Sequence, residues 1–207
     1  MNASRFRTVA LLAALAAATT LGLSEDAAAQ SSTTRGFLLG AHVGAGAVNI
    51  EGSDYASGGG GGVTFGLGLN RNFTLFLNLD GSTIDVAGDG GQVEGDWTLG
   101  HADFGVRFHF ANSLRSWVPY LSGAFSARAV SIADIGGVVG TDGSISGGGF
   151  TFGGGIMIYP SQGFAIDLSA LVTAGQYTTL TVGGTSQAGF DIDSQTNRFL
   201  VGIVWWP

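Results

Sequence analysis

Four segments of this chain alternate between a row of large apolar residues and a row that is mostly small or polar. Phe73, Leu75, Leu77 and Leu79 interleave with Thr74, Phe76, Asn78 and Asp80, and Phe164, Ile166, Leu168, Ala170 and Val172 with Ala165, Asp167, Ser169, Leu171 and Thr173. Val63, Phe65, Leu67 and Leu69 alternate with Thr64, Gly66, Gly68 and Asn70; Phe199, Val201, Ile203 and Trp205 alternate with Arg198, Leu200, Gly202 and Val204. A period of two belongs to β-strands whose two faces meet different surroundings. One face is consistently greasy and the other is small or polar, which excludes a helical fold for these stretches.

The remaining chain agrees with strands. Glycine occurs 37 times in 207 residues, far above the usual share of about 7%, without a three-residue period and interleaved with aromatic and β-branched residues. Such a composition penalises helices. Reading the period along the chain predicts eight strands, near 36–48, 62–70, 73–85, 97–110, 117–131, 148–159, 164–178 and 196–206.

The second face decides where the greasy face points. A water-soluble barrel or sandwich buries its apolar face and covers the outside with charge. Here the opposite face is dominated by glycine, serine and threonine with few ions, too poor in charge for a solvated exterior. The pattern fits an apolar exterior in lipid around a narrow interior, and closure leaves no strand edge unpaired in hydrocarbon. The expected fold is all-β: an eight-stranded antiparallel up-and-down transmembrane β-barrel. Its connections alternate in length. Asn70 to Asn72, Ala111 to Ser116 and Pro160 to Gly163 are short, whereas Asn49 to Gly61, Val86 to Asp96, Ile132 to Gly147 and Thr179 to Gln195 are long. That is the pattern of short periplasmic turns and long extracellular loops. Ten acids, Glu51, Asp54, Asp85, Asp89, Glu94, Asp96, Asp134, Asp142, Asp191 and Asp193, lie in or beside the long loops, while Arg71 and Arg115 occupy short turns.

The first residues carry a different signal. Arg5 and Arg7 precede an apolar block from Val9 to Leu23, and Ala27 to Ala29 follow, the order of a secretory signal peptide. The block is short of the roughly 20 residues a spanning helix needs. Residues 1–29 are read as a cleaved signal peptide and 30–207 as the barrel domain. The absence of cysteine removes disulfides and thiolate metal sites. With no lysine and a formal charge of −7, the chain lacks the basic face that nucleic acid requires.

These features together resemble the small outer-membrane barrels of the OmpA-like and OmpX-like type. The most motif-like part is the last strand, NRFLVGIVWWP, where Phe199, Val201, Ile203 and Trp205 match the spacing of a C-terminal strand ending in an aromatic. The resemblance implies a bacterial outer membrane location, contact with outer-membrane lipid and lipopolysaccharide, and recognition of that strand by the barrel-assembly machinery. It implies no periplasmic peptidoglycan-binding domain, because the chain stops at the barrel. Trailing Trp206 and Pro207 depart from the usual ending.

Candidate site residues fall into two groups. The inward set is expected to hold Asp80, Asp103 and Asp167 against Arg107, Arg128 and Arg198, with His42, His101 and His109, as a polar network filling the lumen. Isolated ions in a narrow interior are costly, and opposite charges with hydrogen bonds offset much of the cost. Arg107 and Asp167 each stand three residues above the lower rim and are expected to pair; where Asp80 and Asp103 meet, one of them is expected to hold a proton or to share Arg128. His101 and His109 lie roughly 26 Å apart along one strand, too far to serve one site, leaving His101 with Asp103 as the possible local pair. The second group is a girdle of aromatics at the lower rim, Phe73, Phe110, Trp117, Tyr120, Tyr159, Phe164, Trp205 and Trp206, with Trp97, Phe150 and Tyr177 at the upper. Gly58 to Gly62 are expected to loosen the first loop, and Gly66, Gly68, Gly153 and Gly155 to keep the lumen from overfilling.

No catalytic residue, metal ligand or cofactor is assigned. The stretch 85–96 departs from a calcium loop at its third and twelfth positions, and the glycine runs lack the lysine of a phosphate loop. The expected function is a structural or surface-interaction role of a monomeric barrel, through loop-mediated adhesion or lipopolysaccharide contact. A narrow channel for small solutes and a lipid A-modifying enzyme are the alternatives.

Overall fold

A computed structural model describes residues 35–51, 54–86, 95–110, 116–132, 142–183 and 185–207. Eight strands follow one another as β1 (Gly36–Ile50), β2 (Ala56–Gly68), β3 (Phe73–Val86), β4 (Gly95–His109), β5 (Trp117–Ile132), β6 (Gly143–Ser161), β7 (Phe164–Val182) and β8 (Thr185–Trp205). Each pairs antiparallel with the next, and β8 returns to β1 to close the barrel. The all-β, up-and-down architecture is the one the alternation implies.

The register fixes the geometry. Starting at Leu39, the paired row runs through Phe65, Leu77, Phe104, Phe125, Phe150, Ala174 and Gln195, and re-enters β1 at Asn49, ten residues beyond its start. A stagger of this size in eight strands tilts them by about 40° from the barrel axis. The resulting interior is just wide enough for side chains to fill.

The outer face is apolar from the turn end upward. On β3 it runs Phe73, Leu75, Leu77, Leu79, Gly81 before reaching Thr83, and on β8 Trp205, Ile203, Val201, Phe199 before Asn197. Along β3 that span is about 26 Å, or roughly 20 Å of height after tilt. Phe104, Phe125, Phe152 and Phe199 are each 59–67% exposed. An apolar belt continuous around the barrel far exceeds the few hundred Å² a soluble surface carries. It requires hydrocarbon around it.

Several strands are longer than the period suggested. β2 begins at Ala56 rather than 62, so Gly58 to Gly62 belong to a strand and do not loosen a loop. The reason is close approach: a Cβ on Gly60 would lie 1.9 Å from the Gly81 carbonyl oxygen. These glycines let β2 and β3 coil tightly. The stretch 179–195, expected as a long loop, is the hairpin of β7 and β8, paired from Val182 and Thr185 downward. A bulge between Tyr177 and Thr179 re-phases β7, and the strict alternation is lost there. The signal segment, the stretches 87–94 and 133–141 with Asp89, Glu94 and Asp134, and the turn bearing Arg115 lie outside the described residues. Glu51, Asp54, Asp96, Asp142, Asp191 and Asp193 are exposed at the loop end.

The aromatic girdle is corrected by the same parity. Phe73, Phe110, Trp117 and Trp205 are exposed on the outside, and Phe164 is half-buried. Tyr120, Tyr159 and Trp206 are buried inside the barrel. Trp97 and Tyr177 are buried at the loop end, while Phe150 is exterior. Each inward aromatic shares the parity of an inward neighbour: Tyr120 that of Arg128, Tyr177 that of Asp167, Trp206 that of Arg198.

Candidate functional site

The lumen is built in three layers. At the turn end Leu38, Val118, Tyr120, Met157, Tyr159 and Trp206 pack into a buried, largely apolar plug. At the loop end Val48, Ile84, Trp97, Leu99, Val130 and Tyr177 form a second. Between them lies the polar layer, made of the inward parity of every strand.

Arg198, on β8, is its centre. Its Nη1 donates to Asp80 Oδ2 on β3 at 2.6 Å, and Nη2 stands 2.8 Å from Asp103 Oδ2 on β4. The same Nη2 donates to Thr173 at 2.9 Å and Thr151 at 3.2 Å. One guanidinium thus joins five strands across the lumen. Asp103 also accepts hydrogen bonds from Ser126 and Thr151, and Thr151 and Thr173 lie 2.6 Å apart. Asn78 donates to Asp80 at 2.6 Å and receives Thr64 at 2.8 Å. Charged hydrogen bonds of this kind are among the stronger ones in proteins, and in a low-dielectric interior they hold the wall segments at fixed positions.

Towards the turn end, Arg107 and Asp167 meet at 3.5 Å across the lumen. Tyr120 donates to the other oxygen of Asp167 at 2.8 Å and places its ring 4.3 Å under the Arg107 guanidinium. His109 lies 3.2 Å from the Thr74 hydroxyl. His42 borders a void of about 20 Å³ beside Arg107, Ser122 and Asp167, room for roughly one water.

Two expected partnerships are different in the structure. The carboxylates of Asp80 and Asp103 share Arg198 rather than Arg128. Arg128 lies higher, with its guanidinium 4.9 Å from the Tyr177 ring and Nη1 donating to the Ser194 carbonyl at 3.4 Å. Height along the strand carried that signal: Asp80 is seven residues above Phe73, Asp103 seven above Phe110 and Arg198 seven above Trp205, but Arg128 is eleven above Trp117. His101 turns to Asp80, with Nδ1 3.8 Å from Oδ1, rather than to Asp103. Its position opposite Asp80 on the neighbouring strand explains the choice. Both residues are buried beneath the loop-end plug. The hydroxyls of Ser126, Thr151 and Thr173, absent from the expected network, complete it; their inward parity is the signal that marks them.

No family model matches the chain, and no curated protein matches it. Among solved structures, Neisserial surface protein A aligns with TM-score 0.64 at 13% identity, covering 83% of this chain and 97% of that one. OprG of Pseudomonas aeruginosa aligns with TM-score 0.60 at 11% identity, covering 84% and 97%. Ail, the attachment invasion locus protein of Yersinia pestis, aligns with TM-score 0.51 at 13% identity, covering 83% and 99%. The chain therefore has the fold of the small eight-stranded outer-membrane β-barrels.

Proposed function

We propose that this protein is a monomeric barrel of a bacterial outer membrane that acts as a rigid support for its loop end, with a structural or surface-interaction role and no transport through its lumen. The observation that carries the reading is the lumen itself, in which an ion-paired layer is sealed between two apolar plugs. A solute would have to displace Trp97 and Tyr177, part the Arg198 pairs, and then displace Tyr120 and Trp206. The loop end carries exposed acids at Glu51, Asp191 and Asp193, suited to adhesive contacts or, bridged by divalent cations, to lipopolysaccharide. Ail, a protein of similar fold, is named for an attachment invasion locus, which supports the surface-interaction reading. The outward row Phe199, Val201, Ile203 and Trp205 suits recognition of the last strand by the assembly machinery.

Folded protein in a planar bilayer is expected to pass no ionic current above leak. A steady open level in most insertions would overturn the closed-lumen reading and favour the narrow channel.

A further inference from the structure

Outside the barrel, above the apolar belt, Thr83, Thr98, Ser131, Ser144, Thr181 and Ser186 are successive partners across β3 to β8. All six lie on the outward face, and together they form one oblique row of hydroxyls. Thr181 and Ser186 touch through their oxygens at 2.9 Å. Four of the six, Thr98, Ser131, Ser144 and Thr181, line a cleft of about 380 Å³ flanked by the carboxylates of Asp96 and Asp142, near the small end of ligand-cleft sizes. Directly beneath, on the same strands, the outward residues Leu79, Gly81, Gly100, Ala102, Ala127 and Ala129 line a depression of about 750 Å³, whose lining also takes in Asp80, His101, Arg128 and the hydroxyl residues Ser146, Thr178 and Thr179.

Two stacked recesses, the lower rich in small apolar residues and the upper in hydroxyls, have the shape of one lipid: a chain against the small residues and a head in the cleft. Charge selects the head. Arg107, Arg128 and Arg198 are buried in the lumen, Arg35 precedes β1, Arg71 lies between β2 and β3, and Arg115 lies between β4 and β5. The chain has no lysine, and its four loop-end connections contain no basic residue. A phosphate placed in the cleft would meet two carboxylates and no cation. A sugar would meet hydroxyls that both donate and accept, and carboxylates that accept. We propose that this face binds an uncharged, sugar-headed lipid of the leaflet around the loop end. The inference rests on the membrane reading above and adds the class of lipid to it.

The test uses the folded barrel in phosphatidylcholine nanodiscs doped with monogalactosyl diacylglycerol or with phosphatidylglycerol, with retained lipid counted by native mass spectrometry in calcium and in EDTA. Two or three hydrogen bonds of ordinary strength predict a preference for the galactolipid of roughly ten- to a hundredfold, unaffected by EDTA. The triple variant Thr98→Val, Ser131→Ala, Ser144→Ala is expected to lose it. Gly100→Leu, where an added Cβ would have its nearest neighbour at 3.9 Å, fills the lower recess and is expected to lose it with the hydroxyls intact. Retention of phosphatidylglycerol equal to the galactolipid, with or without calcium, overturns the proposal, as does undiminished galactolipid on both variants. A chain that stays soluble without detergent overturns the membrane reading and this site with it.

Discussion

Arg198→Ala is expected to abolish the heat-stable folded form of the barrel, or to lower its stability by about 3–5 kcal/mol, the typical cost of removing one partner from a buried ion pair. The substitution leaves Asp80 and Asp103, both within the polar layer, without the guanidinium that both contact. It also removes the donor shared by Thr151 and Thr173. The measurement is the mobility shift between boiled and unboiled protein, with urea unfolding in lipid for variants that fold. Adding Asp80→Asn and Asp103→Asn to Arg198→Met should recover much of the loss, because it removes the uncompensated charges while keeping volume. An unfolding midpoint for Arg198→Ala equal to that of the parent would show that the centre of the network lies elsewhere.

Gly155→Leu is expected to prevent closure of the barrel between β6 and β7. A Cβ at this inward position would lie 2.3 Å from the Leu168 carbonyl oxygen and 2.7 Å from the Tyr120 hydroxyl, so both the wall and the turn-end plug stand in its way. Overpacking a filled core costs typically about 1–3 kcal/mol, and a clash with backbone adds to that because the neighbouring strand cannot rotate away. Gly148→Ala on the same strand is the control: its added Cβ would meet its nearest atom at an ordinary 3.6 Å. Folding yield into lipid vesicles should fall sharply for the first and stay near the parent for the second. Equal yields would remove the packing argument for the inward glycines of β6.

Much of this site was legible from parity alone. Asp80, Asp103, Arg107, Arg128, Asp167, Arg198 and the three histidines stand at inward positions because each alternates with lipid-facing residues. The same rule assigns Tyr120, Tyr159 and Trp206 to the interior. Grouping them with the rim by height, on the general preference of aromatics for interfaces, set a statistical tendency against a geometric constraint, and the constraint won. Strand ends were less legible. Composition marks Gly58 to Gly62 as a loop, yet in a narrow coiled barrel glycine is also the residue that permits two strands to approach. The β7–β8 hairpin was hidden because a bulge shifts the phase on which the period depends.

By itself, the sequence determined that the chain forms eight alternating strands, which face of each meets hydrocarbon, and therefore that the strands close. Those properties are local: each needs only the order of residues along one strand and the cost of unpaired backbone in lipid. Which inward groups meet was decided by the tertiary structure. Arg198 reaches Asp80 and Asp103, and aromatic plugs seal the ends, because eight registers add up to a stagger of ten residues around the barrel. That sum is a property of all the strand pairings together, and no single segment contains it.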